Sequence, residues 1–140
     1  MSIDQCKIIK LNEHVSKTGN LTTFENGELE NFFISRIYFL NKLIEKQPRG
    51  NHAYLNVSQV IIPISGKISI EVNDGQNSKT IYARESSEGV YIPINIWRKI
   101  TPLTADTLIL VLANKLYKDC KKISNYKEFI SHSKNFTGTL

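Results

Sequence analysis

Apolar and polar residues alternate one by one through Lys67-Ile68-Ser69-Ile70-Glu71-Val72. A period of two is that of a strand with one buried face, because successive side chains leave the backbone on opposite sides. Asn73-Asp74-Gly75 follows with residues that tolerate the positive φ of a tight hairpin, and Thr80-Ile81-Tyr82-Ala83 returns as the partner strand. Further short strands are predicted at 8–11, 21–25, 33–40, 59–66, 90–92, 95–100 and 107–113, with a turn at Arg49-Gly50 releasing into another. Turns are predicted at 16–20 and at Asn26-Gly27, and residues 41–48 read as a polar, exposed loop. Ser124-Asn125 before Tyr126-Lys127-Glu128-Phe129-Ile130 offers an N-cap with an acid three residues on, so a short C-terminal helix is expected. Many short strands with one terminal helix predict an all-β sandwich or barrel, a double-sheet jelly roll among the main options.

Composition narrows the class without changing the fold. At 140 residues, 41% hydrophobic and 22% charged, the chain fits one soluble globular domain spanning residues 1–140, with no internal repeat or linker. Its first residues lack the apolar segment of a signal peptide, and the apolar run 108–113 is too short to span a bilayer. A cytoplasmic protein with reduced Cys6 and Cys120 is the expectation. The net charge of +5 is concentrated at Lys115, Lys118, Lys121, Lys122, Lys127 and Lys134. No aromatic interleaving or nucleic-acid motif accompanies these lysines, so they read as a solvated basic segment, and nucleic acid is not an expected partner. Net positive charge favours an anionic small ligand such as a diphosphate.

Candidate chemistry gathers at Arg49-Gly50-Asn51-His52-Ala53-Tyr54. Strand alternation puts His52 and Tyr54 on one face, an imidazole beside a phenol, which suits proton transfer if that face lines a pocket. Taken alone, a histidine beside a glycine turn is unspecific and better fits a structural, hydrogen-bonded residue at a barrel rim. Arg36 and Tyr38 share a strand face that has reason to be polar only if it lines a cavity. His14 and His132 lie in polar terminal segments and read as surface residues.

The order of Gly19-Asn20-Leu21, Ser35-Arg36-Ile37-Tyr38-Phe39-Leu40, Arg49-Gly50-Asn51-His52-Ala53, Gln59, Ser65-Gly66, Asn73-Asp74-Gly75, Gly89-Val90-Tyr91-Ile92-Pro93, Ile96-Trp97-Arg98, Leu110-Val111-Leu112-Ala113 and Tyr126-Lys127-Glu128-Phe129 carries a family likeness. The chain resembles the cupin-fold sugar 3,4-ketoisomerases of dTDP-4-keto-6-deoxyglucose, the group that includes FdtA and QdtA. The likeness runs from about Gly19 to Phe129. It implies a cupin jelly roll, usually a homodimer, with a metal-free and cofactor-free site inside the barrel. Such enzymes move a keto group from C4 to C3 of a nucleotide-linked hexose. The product normally passes to a PLP-dependent aminotransferase, towards 3-amino-3,6-dideoxy sugars of surface polysaccharides such as O-antigen and lipopolysaccharide. The family signature Arg-Gly-x-His-Ala-His reads here with Tyr54 at the second histidine, and Thr18 stands where several relatives carry Arg or Tyr.

Under this resemblance His52 is the expected acid/base, since moving a ketone to its neighbour requires taking the proton α to a carbonyl. Tyr54 is the expected assisting acid, an unperturbed phenol near pKa ~10 being a better donor than base. Arg36, Arg49 and Arg98 are candidates for the diphosphate, which guanidinium forks match bidentately. For each, a surface salt bridge is the competing use. Tyr38 joins the substrate contacts with Arg36. Trp97 and Tyr91 can stack near a base or sugar, against the commoner use of such rings in core packing. Gln59 can bond a sugar hydroxyl or a neighbouring backbone. With the His-x-His pair broken, no three-imidazole metal site is expected. A cupin that binds a nucleotide sugar without turnover, and an isomerase or epimerase of another nucleotide sugar, are the alternatives.

Overall fold

The computed structural model describes residues 3–138. Its strands are β1 (Lys7–Lys10), β2 (Asn12–Ser16), β3 (Gly19–Thr23), β4 (Arg36–Leu40), β5 (Arg49–Tyr54), β6 (Gln59–Ser65), β7 (Ile68–Asn73), β8 (Ser78–Ala83), β9 (Glu88–Ile92), β10 (Ile96–Pro102), β11 (Leu108–Ala113) and β12 (Lys122–Ile123), followed by helix α1 (Tyr126–Gly138). Two five-stranded antiparallel sheets form the cupin jelly roll, one ordered β1-β9-β6-β11-β4 and the other β12-β5-β10-β7-β8. The β2–β3 hairpin stands apart as a third, two-stranded sheet.

Alternation along each strand decides what faces the interior. Ile68, Ile70 and Val72 of β7, Ile96 and Ile100 of β10, Ile61 of β6 and Ile109 and Val111 of β11 meet between the two main sheets as the central core. The intervening residues Val60, Ile62 and Leu112 point outward, where Leu11 and Phe32 cover them. Ala53 of β5 points out of the other sheet onto Phe129 of α1 and Ile123. An inner face this apolar makes any polar side chain that enters it conspicuous, because a buried polar group is costly unless paired.

Most predicted strands form, with shifted ends. Residues 33–35 precede β4 rather than joining it. β2 was not expected: all five of its residues are exposed, so it carries no buried-face pattern, and backbone pairing with β3 alone defines it. The helix starts where predicted, with Asn125 Oδ1 accepting from the Glu128 amide at 3.0 Å, but runs to Gly138 rather than stopping at Ile130. Cys6, buried, and Cys120, half-buried, are both free thiols, and burial pushes the Cys6 thiol up to about 11. Among the described residues, no helix is long and apolar enough to cross a membrane.

Candidate active site

Four polar side chains enter the apolar interior together. Tyr38 comes from β4, His52 from β5, Gln59 from the first position of β6 and Arg98 from the middle of β10. Each sits at an inward position of its strand, so the period that buries Leu40, Ile61, Ile96 and Ile100 also turns these four inward. They line a cavity of about 120 Å³ with Arg49, Gly50, Leu40, Ile100 and Val111. Gly50 has a φ of +93°, which glycine adopts without strain, and there β5 enters its pairing with β10. The register between β5 and β10 shifts next to this point, after His52 has been set directly opposite Arg98.

Arg98 organises the cluster. It is 1% exposed, and its guanidinium donates from Nη1 to Gln59 Oε1 at 2.6 Å and from Nη2 to the Ile96 carbonyl at 3.2 Å. Its buried Nε has no partner. Burial pulls the group down to about 10, still charged at neutral pH. Gln59 Nε2 in turn donates to the Tyr38 hydroxyl at 3.0 Å. Burial, then the neighbouring Tyr54, raises the Tyr38 phenol above its ordinary value, opposed by the Gln59 bond and by Arg36 and Arg98.

His52 brings an imidazole to the same cavity. Burial first, then the charges of Arg98 and Lys122, lower its pKa to about 3, so the imidazole is neutral at physiological pH. Its Nε2 is buried without a hydrogen-bond partner. A neutral imidazole whose Nε2 has no partner within the protein has the chemistry to accept a proton through that nitrogen when Nδ1 carries the ring's N–H.

Arg36 lies at the margin of this cluster. Gln59 and Arg36 both pair with Ala113, from opposite sides of β11, so the two are laterally aligned. The Arg36 guanidinium stacks on the Tyr38 ring at 4.8 Å and on the Tyr117 ring at 5.4 Å, while its buried Nε and Nη2 have no partner. Two unused donors in a planar fork, held between aromatic faces, suit a phosphate or carboxylate. Tyr117, 77% exposed, was not singled out from sequence, since it follows the last long strand in a segment with no pattern.

The FdtA family, described as WxcM-like, C-terminal, matches residues 4–134 of this sequence. The chain belongs to this family. The curated TDP-4-oxo-6-deoxy-alpha-D-glucose-3,4-oxoisomerase of Aneurinibacillus thermoaerophilus is 25% identical over 123 residues, 88% of each chain. Among solved structures, the WlaRB TDP-quinovose 3,4-ketoisomerase of Campylobacter jejuni is 36% identical, covering 92% of this chain and 99% of its own, with a TM-score of 0.85. A variant of the 3,4-ketoisomerase QdtA of Thermoanaerobacterium thermosaccharolyticum, in complex with TDP-4-keto-6-deoxyglucose, superposes with a TM-score of 0.89 at 28% identity, covering 96% and 97% of the two chains.

Within this FdtA-family fold, three residues named from the sequence do not line the His52 cavity. Tyr54 is not among the cavity's lining residues; its buried ring packs edge-on against His52, centroids 4.8 Å apart, with Arg98 above it at 5.4 Å. Val57, Ala113 and Cys120 pack around it. Trp97 alternates with Arg98 and so points the other way, onto Tyr126 at 5.2 Å and Phe129 at 5.6 Å under α1. Tyr91, on β9, packs on the outer face of its sheet, edge-on to Phe32 at 6.4 Å. Neither Trp97 nor Tyr91 lines the His52 cavity, nor do His14 on exposed β2 and His132 on α1. Among the described residues, no three His, Cys, Asp or Glu side chains gather as a metal would require.

Two larger hollows, of about 550 and 430 Å³, open on the outer face of the β4-containing sheet. They are floored by Ile37, Phe39, Ile64 and Leu110 and hold none of the groups described above. The titratable and hydrogen-bonding groups gather in the small polar cavity rather than in these apolar ones.

Proposed function

We propose that this protein, a single cupin domain, is an isomerase that moves the keto group of a dTDP-4-keto-6-deoxyhexose from C4 to C3. The observation that carries the reading is a neutral imidazole with a free Nε2 lining the same cavity as a hydroxyl and a buried guanidinium, in a chain of the FdtA family. His52 Nε2 takes the proton from C3, which the adjacent C4 carbonyl acidifies. Charge then develops on O4, where the Tyr38 hydroxyl donates its proton, within the field of Arg98. The resulting 3,4-enediol returns the O3 proton to Tyr38, and protonated His52 delivers its proton to C4. Each proton removed is given back, so no external acid, base or redox partner is consumed.

The cavity is smaller than the several hundred Å³ of a site that encloses a drug-sized ligand. It suits the reacting edge of the hexose, with the diphosphate outside it. Arg36 and Arg49, at its margin and rim, are the phosphate ligands in this reading. A ketone at C3 is what a PLP-dependent aminotransferase consumes to give a 3-amino-3,6-dideoxy sugar, so the product passes to such an enzyme in the cytoplasm, towards surface polysaccharide.

The working unit is a homodimer. Ile37 and Phe39 are 61% and 63% exposed on the outer face, beside Ile64, and the adjoining β2–β3 hairpin exposes Val15 and Leu21. A contiguous apolar patch of this kind is unusual on a monomer.

The test is proton NMR of dTDP-4-keto-6-deoxyglucose in deuterated water with wild type and His52→Asn. Conversion to the 3-keto isomer with loss of the C3 proton signal is expected from wild type alone. An unchanged sugar with folded wild-type protein, or full turnover by His52→Asn, overturns the assignment.

A further inference from the structure

We infer that Gln59 is a positioning residue that fixes the Tyr38 hydroxyl as a donor into the cavity, with Arg98 setting the direction of the bond. The inference rests on the reaction proposed above for its kinetic consequence, but on hydrogen-bond geometry for its content.

Arginine carries only donors. The 2.6 Å contact from Arg98 Nη1 therefore requires the oxygen of the Gln59 amide, which leaves Nε2 to face Tyr38. At 3.0 Å from that Nε2, the Tyr38 oxygen accepts, and its single O–H is free to point elsewhere. Tyr38 lines the cavity, so the free proton is available there. The chain of three thus has a fixed polarity running from a permanent charge to a phenol. Reversal is closed, because no orientation of a buried guanidinium can accept. Gln59 is 2% exposed, so water does not compete for either end of its amide. The same two bonds explain why a neutral amide, rather than a carboxylate, occupies this position. A carboxylate would satisfy Arg98 equally well, but would take the Tyr38 proton for itself.

The experiment compares Gln59→Glu, Tyr38→Phe and the double variant in the full-length protein. Gln59→Glu keeps a partner for Arg98 and turns the Tyr38 hydroxyl into a donor towards the carboxylate. Its kcat is expected to fall about 100-fold, the lower range for loss of a positioned acid, with KM changed by less than about 3-fold. In the Tyr38→Phe background the same substitution should cause no further loss. A readout that does not need turnover is the ¹³Cζ resonance of Tyr38 in tyrosine-labelled protein. Its titration should move to higher pH in Gln59→Glu, since the phenolate would face a carboxylate. If Gln59→Glu does not fold, Gln59→Asn serves, being one methylene too short to reach both partners, and is expected to lose kcat and shift the Tyr38 resonance. Kinetic losses that add in the double variant, or a Tyr38 resonance that titrates as in wild type, overturn the inference. A shifted resonance in a protein that leaves the ketosugar unchanged supports the Gln59–Tyr38 coupling and fails the proposed reaction instead.

Discussion

His52 and Arg98 are direct register partners across β5 and β10, so the imidazole of the cavity is built next to a buried positive charge. Both residues face inward, and the proximity has a defined sign. A proton on His52 would be placed beside a guanidinium in an apolar interior, and both burial and that charge disfavour it. The arrangement keeps the imidazole deprotonated and ready to accept.

The first prediction is a pH profile. With a folded pKa of about 3 in place of 6.5, His52 remains neutral throughout the range in which a free histidine titrates. The acid limb of kcat/KM, which reports the free enzyme, should lie well below pH 6.5, leaving activity flat between pH 8 and 5. The same shift affects stability. The unfolded chain binds a proton on His52 as pH falls through 6.5, and the folded chain does not until about 3, so this residue's contribution to stability is lost progressively across that window. Thermal unfolding of wild type and His52→Asn at pH 7 and pH 4.5 checks it: the acid-induced drop in Tm should be smaller in the variant.

Arg36 should act on binding rather than on chemistry. Its Nε and Nη2 are buried and unpartnered, so a phosphate gains bonds there without displacing any. Bonds to a charged group contribute about 1.5–3 kcal/mol, so Arg36→Ala should raise KM by about 10-fold or more with kcat little altered. Arg36→Lys should not restore it, because an ammonium lacks the planar fork and its stacking on Tyr38 and Tyr117. Steady-state kinetics, with TDP as a competitive inhibitor, separates the two parameters.

Tyr54 contributes its ring. It packs edge-on against His52 and does not line the cavity, so removing the hydroxyl should leave kcat within about 3-fold in Tyr54→Phe, far less than the loss of a positioned acid. Removing the ring in Tyr54→Ala takes away the packing that holds the imidazole. It should cost about 3 kcal/mol of stability, as large aromatic truncations in a core do. Paired measurements of kcat and Tm on the two variants test this; a severe loss in Tyr54→Phe with an unchanged Tm would return the phenol to proton transfer.

The strand framework was legible because one face of nearly every strand is apolar, as at Ile68, Ile70 and Val72. The β2 strand had no such face to read. For the site, alternation correctly turned Arg36 and Tyr38 to one side, and His52 and Tyr54 likewise. It also separates Trp97 from Arg98 onto opposite faces of β10. Alternation gives the side of a sheet but not the depth along it. That is why it does not separate Tyr54, which packs beside His52, from the residues that line the cavity, and why the Gln59 link between Arg98 and Tyr38 is not legible: these residues come from three strands far apart in sequence.

The apolar outer face gives the last prediction. Phe39 alternates with Tyr38 and Leu40, so it faces outward from the sheet and does not line the His52 cavity. If this face joins two copies, a charge there should separate them, since burying an unpaired carboxylate is costly. Phe39→Glu should therefore run as a monomer in analytical ultracentrifugation where wild type runs as a dimer. Its circular dichroism should remain that of wild type, because the residue is 63% exposed within one chain and contributes little to the core. Gln76→Glu, on an exposed residue between β7 and β8, makes the same charge change elsewhere on the surface and should leave the dimer intact. Dissociation by Phe39→Glu alone assigns the interface to this face; a dimer that survives it moves the interface elsewhere.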